Sequence, residues 1–137
     1  MLRFFDTNVL VYLFDAPKAQ KKARAQALLA DAVGGGDALL STQVLQEFFV
    51  AVTRKLSTPL PHDQAEQAVR ELSSLPVVDV DTATILESIA TMRRYRFSFR
   101  DSLIVRSAIK GGASVLYTED LNDGQKIETL TVHNPFA

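Results

Sequence analysis

The sequence predicts an α/β fold in which short strands alternate with longer helices around a mostly parallel sheet. Apolar runs of four or five residues recur along the chain, and stretches of ten or more residues with helical spacing of apolar side chains separate them. This alternation is typical of βαβ units, whose crossovers place helices on both faces of a parallel sheet. No internal repeat, linker or low-complexity tract interrupts the pattern, so we expect one domain over residues 1–137.

In the first half of the chain, glycine and proline residues separate two apolar runs from four stretches with helical periodicity. The predicted strands are Leu2–Phe5 and Ala38–Ser41, and the predicted helices are Thr7–Asp15, Pro17–Gly34, Gln43–Leu56 and Asp63–Leu75. Pro17 is expected to open the second helix, because its fixed backbone suits a first helical position. Asp63 is expected to cap the fourth helix, after the prolines that break the pattern behind the third.

The second half of the chain continues the same alternation. Its predicted strands are Pro76–Val80, Ser114–Thr118 and, near the end, Thr129–Val132, which makes four to five strands in all. Its predicted helices are Thr82–Tyr95 and Arg100–Lys110. Gly111 and Gly112 stand in the usual position for ending the last helix.

Composition excludes several classes of protein. The chain has no cysteine, which excludes disulfides and thiolate metal sites and leads us to expect a cytoplasmic location. The longest apolar stretch near the N-terminus, Val9–Phe14, is too short to span a membrane and lacks the flanks of a signal peptide. The net charge of −1 argues neither for nor against nucleic acid as a ligand.

Asp6 stands in the middle of the most hydrophobic segment of the sequence, between Leu2–Phe5 and Val9–Phe14. Burying an unpaired carboxylate costs several kcal/mol, so something must offset that cost. Ligands of open parallel sheets bind at the carboxyl ends of the strands, and Asp6 directly follows the first strand. Glu119 and Asp120 follow the fourth strand, which places them at the same edge. The alternatives are a helix cap for Asp6 and a solvated turn for the later acids.

Asp101 and Glu47 are further acidic candidates. Helical spacing puts Asp101 in the first turn of its helix, on the side of the apolar residues. The alternative is a capping box, with Ser98 as N-cap and Asp101 reaching back to it. Glu47 lies just outside the apolar arc of its helix, where it would either face solvent or reach the edge of a cleft.

Carboxylates gathered at one edge would repel one another and raise their pKa values unless a cation lay among them. Oxygen ligands without histidine or cysteine select a hard ion, Mg²⁺ or Mn²⁺ rather than zinc. Such sites handle phosphates, because the ion activates water and neutralises charge on phosphoryl oxygens. The segment MRRYRFSFR supplies basic residues interleaved with aromatic ones, as single-stranded RNA binding requires: Arg93, Arg94, Arg96 and Arg100. Its alternative is a helix end with favourable arginines and core aromatics.

Four segments resemble the PIN-domain ribonucleases in order and spacing, and most closely the bacterial VapC-type toxins of type II toxin–antitoxin pairs. The segments are FFDTNVLVYLFD, STQVLQEFFVAVTRKL, FSFRDSLIVRSAIKGGASVLYTEDLNDGQ and VHNPF, and the resemblance covers nearly the whole chain. Each motif alone is weak, but four of them in the right order are specific. The resemblance implies a single PIN-like three-layer domain.

The resemblance also implies site residues. The implied metal-binding and catalytic acids, around one or two Mg²⁺ or Mn²⁺ ions, are Asp6, Glu47, Asp101 and Asp120. Asp123 is a fifth candidate ligand, and Thr118 matches the hydroxyl residue that usually precedes the last acids. Asn8, from the D-T-N motif, is a supporting residue. Arg100 is a departure, since close relatives often carry an aromatic there, and it would bear on substrate preference.

The implied activity is endonucleolytic cleavage of single-stranded or loop RNA by metal-activated water, without a covalent enzyme intermediate. A cognate antitoxin and a homodimer are implied as partners.

Two other classes of protein fit the sequence less well. An aspartyl-phosphate phosphatase needs an acid where Asn8 stands, and a receiver domain needs a pair of acids after the first strand. A PIN-fold or receiver-like module that binds metal or RNA without catalysis is the remaining alternative.

Overall fold

The computed structural model describes all 137 residues and contains a six-stranded sheet with six α-helices. The strands are β1 (Leu2–Phe5), β2 (Ala38–Ser41), β3 (Val77–Val78), β4 (Ala113–Tyr117), β5 (Lys126–Ile127) and β6 (Leu130–His133). The helices are α1 (Thr7–Val11), α2 (Ala19–Gly34), α3 (Thr42–Arg54), α4 (His62–Leu72), α5 (Thr82–Tyr95) and α6 (Phe99–Lys110). A 3₁₀ turn, Tyr12–Phe14, continues α1. No helix combines the length and the apolar character that crossing a membrane requires.

The sheet has the strand order β3-β2-β1-β4-β6-β5, and only β5 runs antiparallel to its neighbour. Side chains of a strand alternate between the two faces, so Arg3 and Phe4 point in opposite directions. Leu39, which pairs with Phe4, lies against the end of α6, whereas Arg3 bonds to Asp31 of α2. Helices therefore cover both faces of the sheet, and the predicted α/β class with a mostly parallel sheet is confirmed.

The orientation of α6 follows from its short connection to β4. Strand β4 begins at Ala113, directly behind the two glycines that end the helix, so α6 runs antiparallel to β4 and its first turn lies at the carboxyl edge. Gly111 is needed for space, because a Cβ there would lie 2.5 Å from Leu39 and 2.7 Å from Val78. Gly112 instead adopts a positive φ of 84°, which glycine tolerates.

A single core packs on the sheet and buries its largest apolar side chains completely. Each such side chain contributes roughly 1.5–3 kcal/mol relative to an exposed one. The bulkiest of them are Phe4, Phe5, Phe48, Leu10, Leu40, Ile104, Leu116, Ile127 and Leu130. Three come from β1 and α1, directly before and after the polar residues Asp6, Thr7 and Asn8, so the first elements of the chain are anchored firmly.

Some boundaries differ from the sequence prediction. The structure has six strands rather than four to five, because Lys126–Ile127 forms a two-residue edge strand that pairs with β6. A run that short carries no periodicity to detect. The prediction that Asp63 caps a helix is wrong: α4 begins at His62 behind Pro61, so Asp63 lies within the first turn. The third strand is reduced to Val77–Val78.

Candidate functional site

Four carboxylates converge on one arginine at the carboxyl edge of the sheet, and we call these four acids the acidic cluster. Nη2 of Arg100 donates to Asp6 and to Glu47, each at 2.6 Å. Nη1 of Arg100 donates to Asp101 at 3.0 Å and to Asp120 at 3.3 Å. The four acids come from four separate segments, so the tertiary fold brings them together.

Asp6 is the buried member of the cluster, with 1% of its surface exposed. It follows β1 and is the N-cap of α1, where its Oδ1 accepts a hydrogen bond from the Thr7 amide at 2.6 Å. The Thr118 hydroxyl donates to its Oδ2 at 2.7 Å. The helix cap considered from the sequence is thus present, and the same carboxylate also binds Arg100. These donors offset the cost of burying a charge in an apolar segment.

Glu47 projects from α3, which begins directly behind β2 and is capped by the Ser41 side chain. The Thr7 hydroxyl donates to Oε1 of Glu47 at 2.7 Å, and Nε2 of Gln43 donates to Oε2 at 3.2 Å. Neither Thr7 nor Gln43 was predicted from the sequence. Gln43 could have been found, because a residue four positions before Glu47 shares its helix face.

Asp101 lies in the first turn of α6. Ser98 is the N-cap of this helix, and its Oγ accepts the hydrogen bond of the Asp101 amide at 3.0 Å. The Asp101 carboxylate does not close the capping box that was considered from the sequence, because it accepts its hydrogen bond from Arg100 instead. The cap and the acidic cluster therefore use different atoms of the same residue.

Asp120 is the most exposed of the four acids, in the loop behind β4. Its backbone amide donates to the Thr118 hydroxyl at 3.0 Å, and Nδ2 of Asn8 donates to its carboxylate at 3.1 Å. The predicted supporting residues, Thr118 and Asn8, both contact the acidic cluster. Oδ1 of Asn8 is buried and has no hydrogen-bond partner.

Other predicted residues lie outside the acidic cluster. Asp123 accepts a hydrogen bond from the Asn134 amide at 2.9 Å, and it forms no hydrogen bond with Arg100. Arg93, Arg94 and Arg96 are exposed at the C-terminal end of α5 and in the residue behind it. Of the four arginines predicted to bind RNA, the structure places only Arg100 among the acids.

The acidic cluster shifts the pKa values of its members in different directions. Burial raises the pKa of Glu47, but hydrogen bonds from Arg100 and Thr7 outweigh it and hold that pKa below its ordinary value. Burial and the neighbouring charge of Asp6 raise the pKa of Asp120. Burial lowers the pKa of Arg100, but hydrogen bonds to Asp6 and Glu47 raise it well above its ordinary value, so the guanidinium stays charged. One positive charge thus faces four acidic groups.

The donor set of the acidic cluster suits a hard cation. The charged groups that the acidic cluster offers to a metal ion are all carboxylates, whose oxygens Mg²⁺ and Mn²⁺ prefer as ligands. The guanidinium acts as a stand-in cation, since it lies within hydrogen-bond distance of an oxygen of each acid. With the guanidinium in this position, no three acidic or histidine side chains are grouped closely enough to hold a metal ion. The four carboxylates are thus suitable ligands for a metal ion, but the Arg100 guanidinium lies between them.

A groove of about 720 Å³ opens from the acidic cluster along α1 and α3. Glu47, Asp120 and Arg100 form one part of its lining. Lys18 and Lys55 line it as well, so the groove combines the acids with basic side chains.

Comparison with known proteins identifies a family. The family model described as PIN domain matches residues 3–124 of the chain. No curated protein matches the chain in sequence.

Solved structures with the same fold include toxins and toxin–antitoxin complexes of distant sequence. A toxin–antitoxin complex from Klebsiella pneumoniae is 20% identical, with 97% of each chain covered and a TM-score of 0.72. VapC20 of Mycobacterium tuberculosis, described as a sarcin–ricin loop cleaving toxin, is 23% identical, with 86% of this chain and 89% of its own covered and a TM-score of 0.70. VapBC2 from Rickettsia felis, bound to a promoter DNA fragment, is 18% identical over 98% of each chain, with a TM-score of 0.68. At these identities the likeness shows the fold.

Proposed function

Because the chain belongs to the PIN-domain family, we propose that it is a metal-dependent endoribonuclease and the VapC-type toxin of a type II toxin–antitoxin pair. The observation that carries the proposal is the convergence of Asp6, Glu47, Asp101 and Asp120 on one cation at the carboxyl edge of the sheet. The structural likeness to VapC20, a sarcin–ricin loop cleaving toxin, supports RNA as the substrate.

The acidic cluster would hold one or two Mg²⁺ or Mn²⁺ ions. When bound, such an ion activates water for attack on a phosphodiester and neutralises charge on the phosphoryl oxygens. The side chains around the cluster orient its carboxylates: Thr118 holds Asp6, Thr7 holds Glu47, and Asn8 holds Asp120. In this proposal water is the nucleophile, so none of the four acids forms a covalent intermediate with the RNA.

Basic side chains near the acidic cluster would bind the RNA backbone. Lys18 and Lys55 line the groove beside the acids, where they would pair with phosphates. Arg93, Arg94 and Arg96 lie further away on the surface, and Arg94 stacks over Tyr95 at 5.2 Å from the ring centre. They would contact RNA that extends beyond the groove.

Two apolar surfaces support the proposed protein partners. A small groove between α2 and α4, lined by Leu13, Phe14 and Leu29, suits the apolar face of an antitoxin helix. The exposed side chains of Ile85, Leu86 and Ile89 on α5 suit a second copy of the chain.

Expression of this protein alone should slow bacterial growth, and co-expression of a cognate antitoxin should restore it. A chain that is harmless when expressed alone would refute the toxin role but not the nuclease.

The test of the proposed activity is cleavage of a mixed RNA pool by wild type and by Asp101→Asn, both purified free of antitoxin. Asparagine preserves the size of the side chain and the hydrogen bond of the backbone amide to Ser98, so the helix should form normally. We expect wild type to cleave RNA with Mg²⁺ or Mn²⁺ but not with chelator. The cleavage rate of the variant should be lower by about 100-fold or more.

The matched control is Asp63→Asn, which removes an exposed carboxylate outside the acidic cluster and should leave cleavage unchanged. Cleavage that persists in chelator, or an Asp101→Asn variant as active as wild type, would refute the mechanism. A wild type that binds RNA and never cleaves it would favour a non-catalytic binding module.

A further inference from the structure

Arg100 is bound by the acidic cluster in the manner of a coordinated cation. All three nitrogens of its guanidinium donate to carboxylates: Nε to Glu47, Nη1 to Asp6, Asp101 and Asp120, and Nη2 to Asp6 and Glu47. Both oxygens of Asp6 and both of Glu47 are occupied in this way. A surface arginine that pairs with a single acid does not engage its partners so completely.

The backbone does not favour a cation at this position. Arg100 lies in the first turn of α6, where the helix dipole favours negative rather than positive groups. Its side chain keeps 32% of its surface exposed and lines the open groove, so it has a path to solvent. The carboxylates therefore hold the guanidinium in place, and the side chain can leave when another cation competes for them.

A divalent ion and the guanidinium cannot share these oxygens. Both would need the same lone pairs of Asp6 and Glu47, and two cations at this distance would repel each other. A divalent ion neutralises the four acids better than one guanidinium does. The apparent affinity for the divalent ion is nevertheless only its intrinsic affinity multiplied by the fraction of molecules in which Arg100 is withdrawn.

We propose that Arg100 is a built-in competitor of the metal ion, which occupies the acidic cluster until Mg²⁺ or Mn²⁺ displaces it. This inference rests on the proposed function, because it concerns the metal that the nuclease would use. Arg100 keeps the acids together in the metal-free protein and sets a threshold of divalent ion below which the site stays closed. It is a positioning residue in that state, since it acts on the carboxylates rather than on RNA.

The test is the affinity for Mn²⁺, measured by calorimetry without RNA on wild type and on Arg100→Met. Methionine has a similar length but neither a charge nor an oxygen that could serve as a ligand. We expect Arg100→Met to bind Mn²⁺ about 10-fold more tightly or better, because no guanidinium has to leave. Arg93→Met removes an exposed arginine and should bind Mn²⁺ as wild type does.

Arg100→Lys is the second variant, and it guards against misfolding of Arg100→Met. Lysine keeps the charge but cannot engage several carboxylates through a planar fork, so its Mn²⁺ affinity should fall between those of wild type and Arg100→Met. Equal or weaker Mn²⁺ binding by both variants, or no Mn²⁺ binding by any of the proteins, would overturn the proposal.

Displacement can also be observed directly in the wild-type protein. The Nε–H group of Arg100 donates to Glu47 at 3.1 Å, so its NMR signal should differ from those of exposed arginines and should disappear in Arg100→Lys. Titration with diamagnetic Mg²⁺ should move this signal to the exposed position. A signal that stays in place through saturation would overturn the proposal. A wild type that cleaves no RNA would refute the nuclease, while the Mn²⁺ and NMR measurements would still decide the role of Arg100.

Discussion

Arg3 and Arg100 are both surrounded by acids, one near the amino edge of the sheet and the other at its carboxyl edge, but the two surroundings differ. Arg3 lies in β1, is 8% exposed, and donates to Asp31 at 3.1 Å, to Asp37 at 3.4 Å and to the Tyr117 hydroxyl at 3.3 Å. Its acids are more exposed than the arginine, since the Asp31 side chain is 76% exposed and the Asp37 side chain 27%. At Arg100 the relation is reversed, because the arginine is partly exposed and Asp6 is buried.

The comparison separates a structural ion pair from the one that we propose to be functional. Around Arg3 the buried group is the arginine, which is fixed in a strand, and the acids reach it from the surface. Around Arg100, the Thr7 amide and the Thr118 hydroxyl hold Asp6 and the Thr7 hydroxyl holds Glu47, and in our proposal the arginine is the group that moves. Two acids face Arg3, whereas four face Arg100, so the second site has the larger surplus of negative charge for a further cation.

The largest expected difference between the two sites is in RNA cleavage. Asp6→Asn keeps the N-cap of α1, because asparagine caps about as well as aspartate, but it removes a central charge of the acidic cluster. We expect cleavage to fall by roughly 100-fold to 1,000-fold. Asp31→Asn, the matched change beside Arg3, should leave cleavage within about two-fold, since Asp31 touches no group near the acids.

Rates should be measured on one defined RNA with saturating Mg²⁺, and circular dichroism should first establish that both variants fold. If the two variants lost cleavage equally, the distinction between a structural and a functional site would be wrong.

Much of the fold and the identity of the acids could be predicted from the sequence. Periodicity predicts the long helices well, because α2, α3 and α6 each have an apolar side that packs on the core. Helix α5 is the exception, since its buried residues are Thr84, Ser88 and Thr91 while its large apolar side chains are exposed. Asp6 is detectable because a charge inside an apolar run requires an explanation. The strand pair of β5 and β6 was only half predicted, since two residues give no period.

The arrangement within the site could not be predicted in the same way. The sequence indicates that Arg100 is basic and near aromatics, which suggested RNA binding, but its long side chain folds back onto acids from distant segments. Thr7 contacts Glu47 only because α1 and α3 pack together, whereas Gln43 contacts Glu47 along the same helix. The conformation of a flexible side chain depends on these tertiary neighbours, and the sequence does not list them.

A second difference is expected in stability and in its response to Mg²⁺. Arg3→Met removes a buried guanidinium and leaves the Tyr117 hydroxyl and two acids without their donor, which we expect to cost about 2–3 kcal/mol, less than a fully buried pair because Asp31 is exposed. Saturating Mg²⁺ should raise the stability of wild type and of this variant equally. Arg100→Met should also be less stable than wild type in chelator, because four acids lose their counter-ion, but Mg²⁺ should restore most of its loss.

Urea unfolding of the three proteins, in chelator and in Mg²⁺ at matched ionic strength, measures this difference. A loss of stability in Arg100→Met that Mg²⁺ leaves unchanged would place Arg100 with Arg3 as a structural residue.

The smallest expected effect is on the free energy of unfolding, which the same aspartate-to-asparagine substitution should change in opposite directions at the two sites. Burial and the charge of Asp6 raise the pKa of Asp120, so the folded state binds a proton there more readily than the unfolded state does. For such a group, the folded state gains stability as pH falls and loses it as pH rises from the ordinary pKa through the raised one. At neutral pH without metal, Asp120→Asn should therefore raise the free energy of unfolding, by a few tenths of a kcal/mol because the side chain is half-exposed and screened by solvent. The gain should vanish below about pH 4, where the wild-type carboxyl is protonated and, like asparagine, carries no charge.

Asp37→Asn, which weakens a contact with Arg3, should instead lower the free energy of unfolding by a similar amount. Thermal unfolding of both variants in chelator, at neutral and acidic pH, tests the pair. If both substitutions destabilised the protein at neutral pH, the acidic cluster would have no excess of negative charge, and its contrast with the surroundings of Arg3 would be lost.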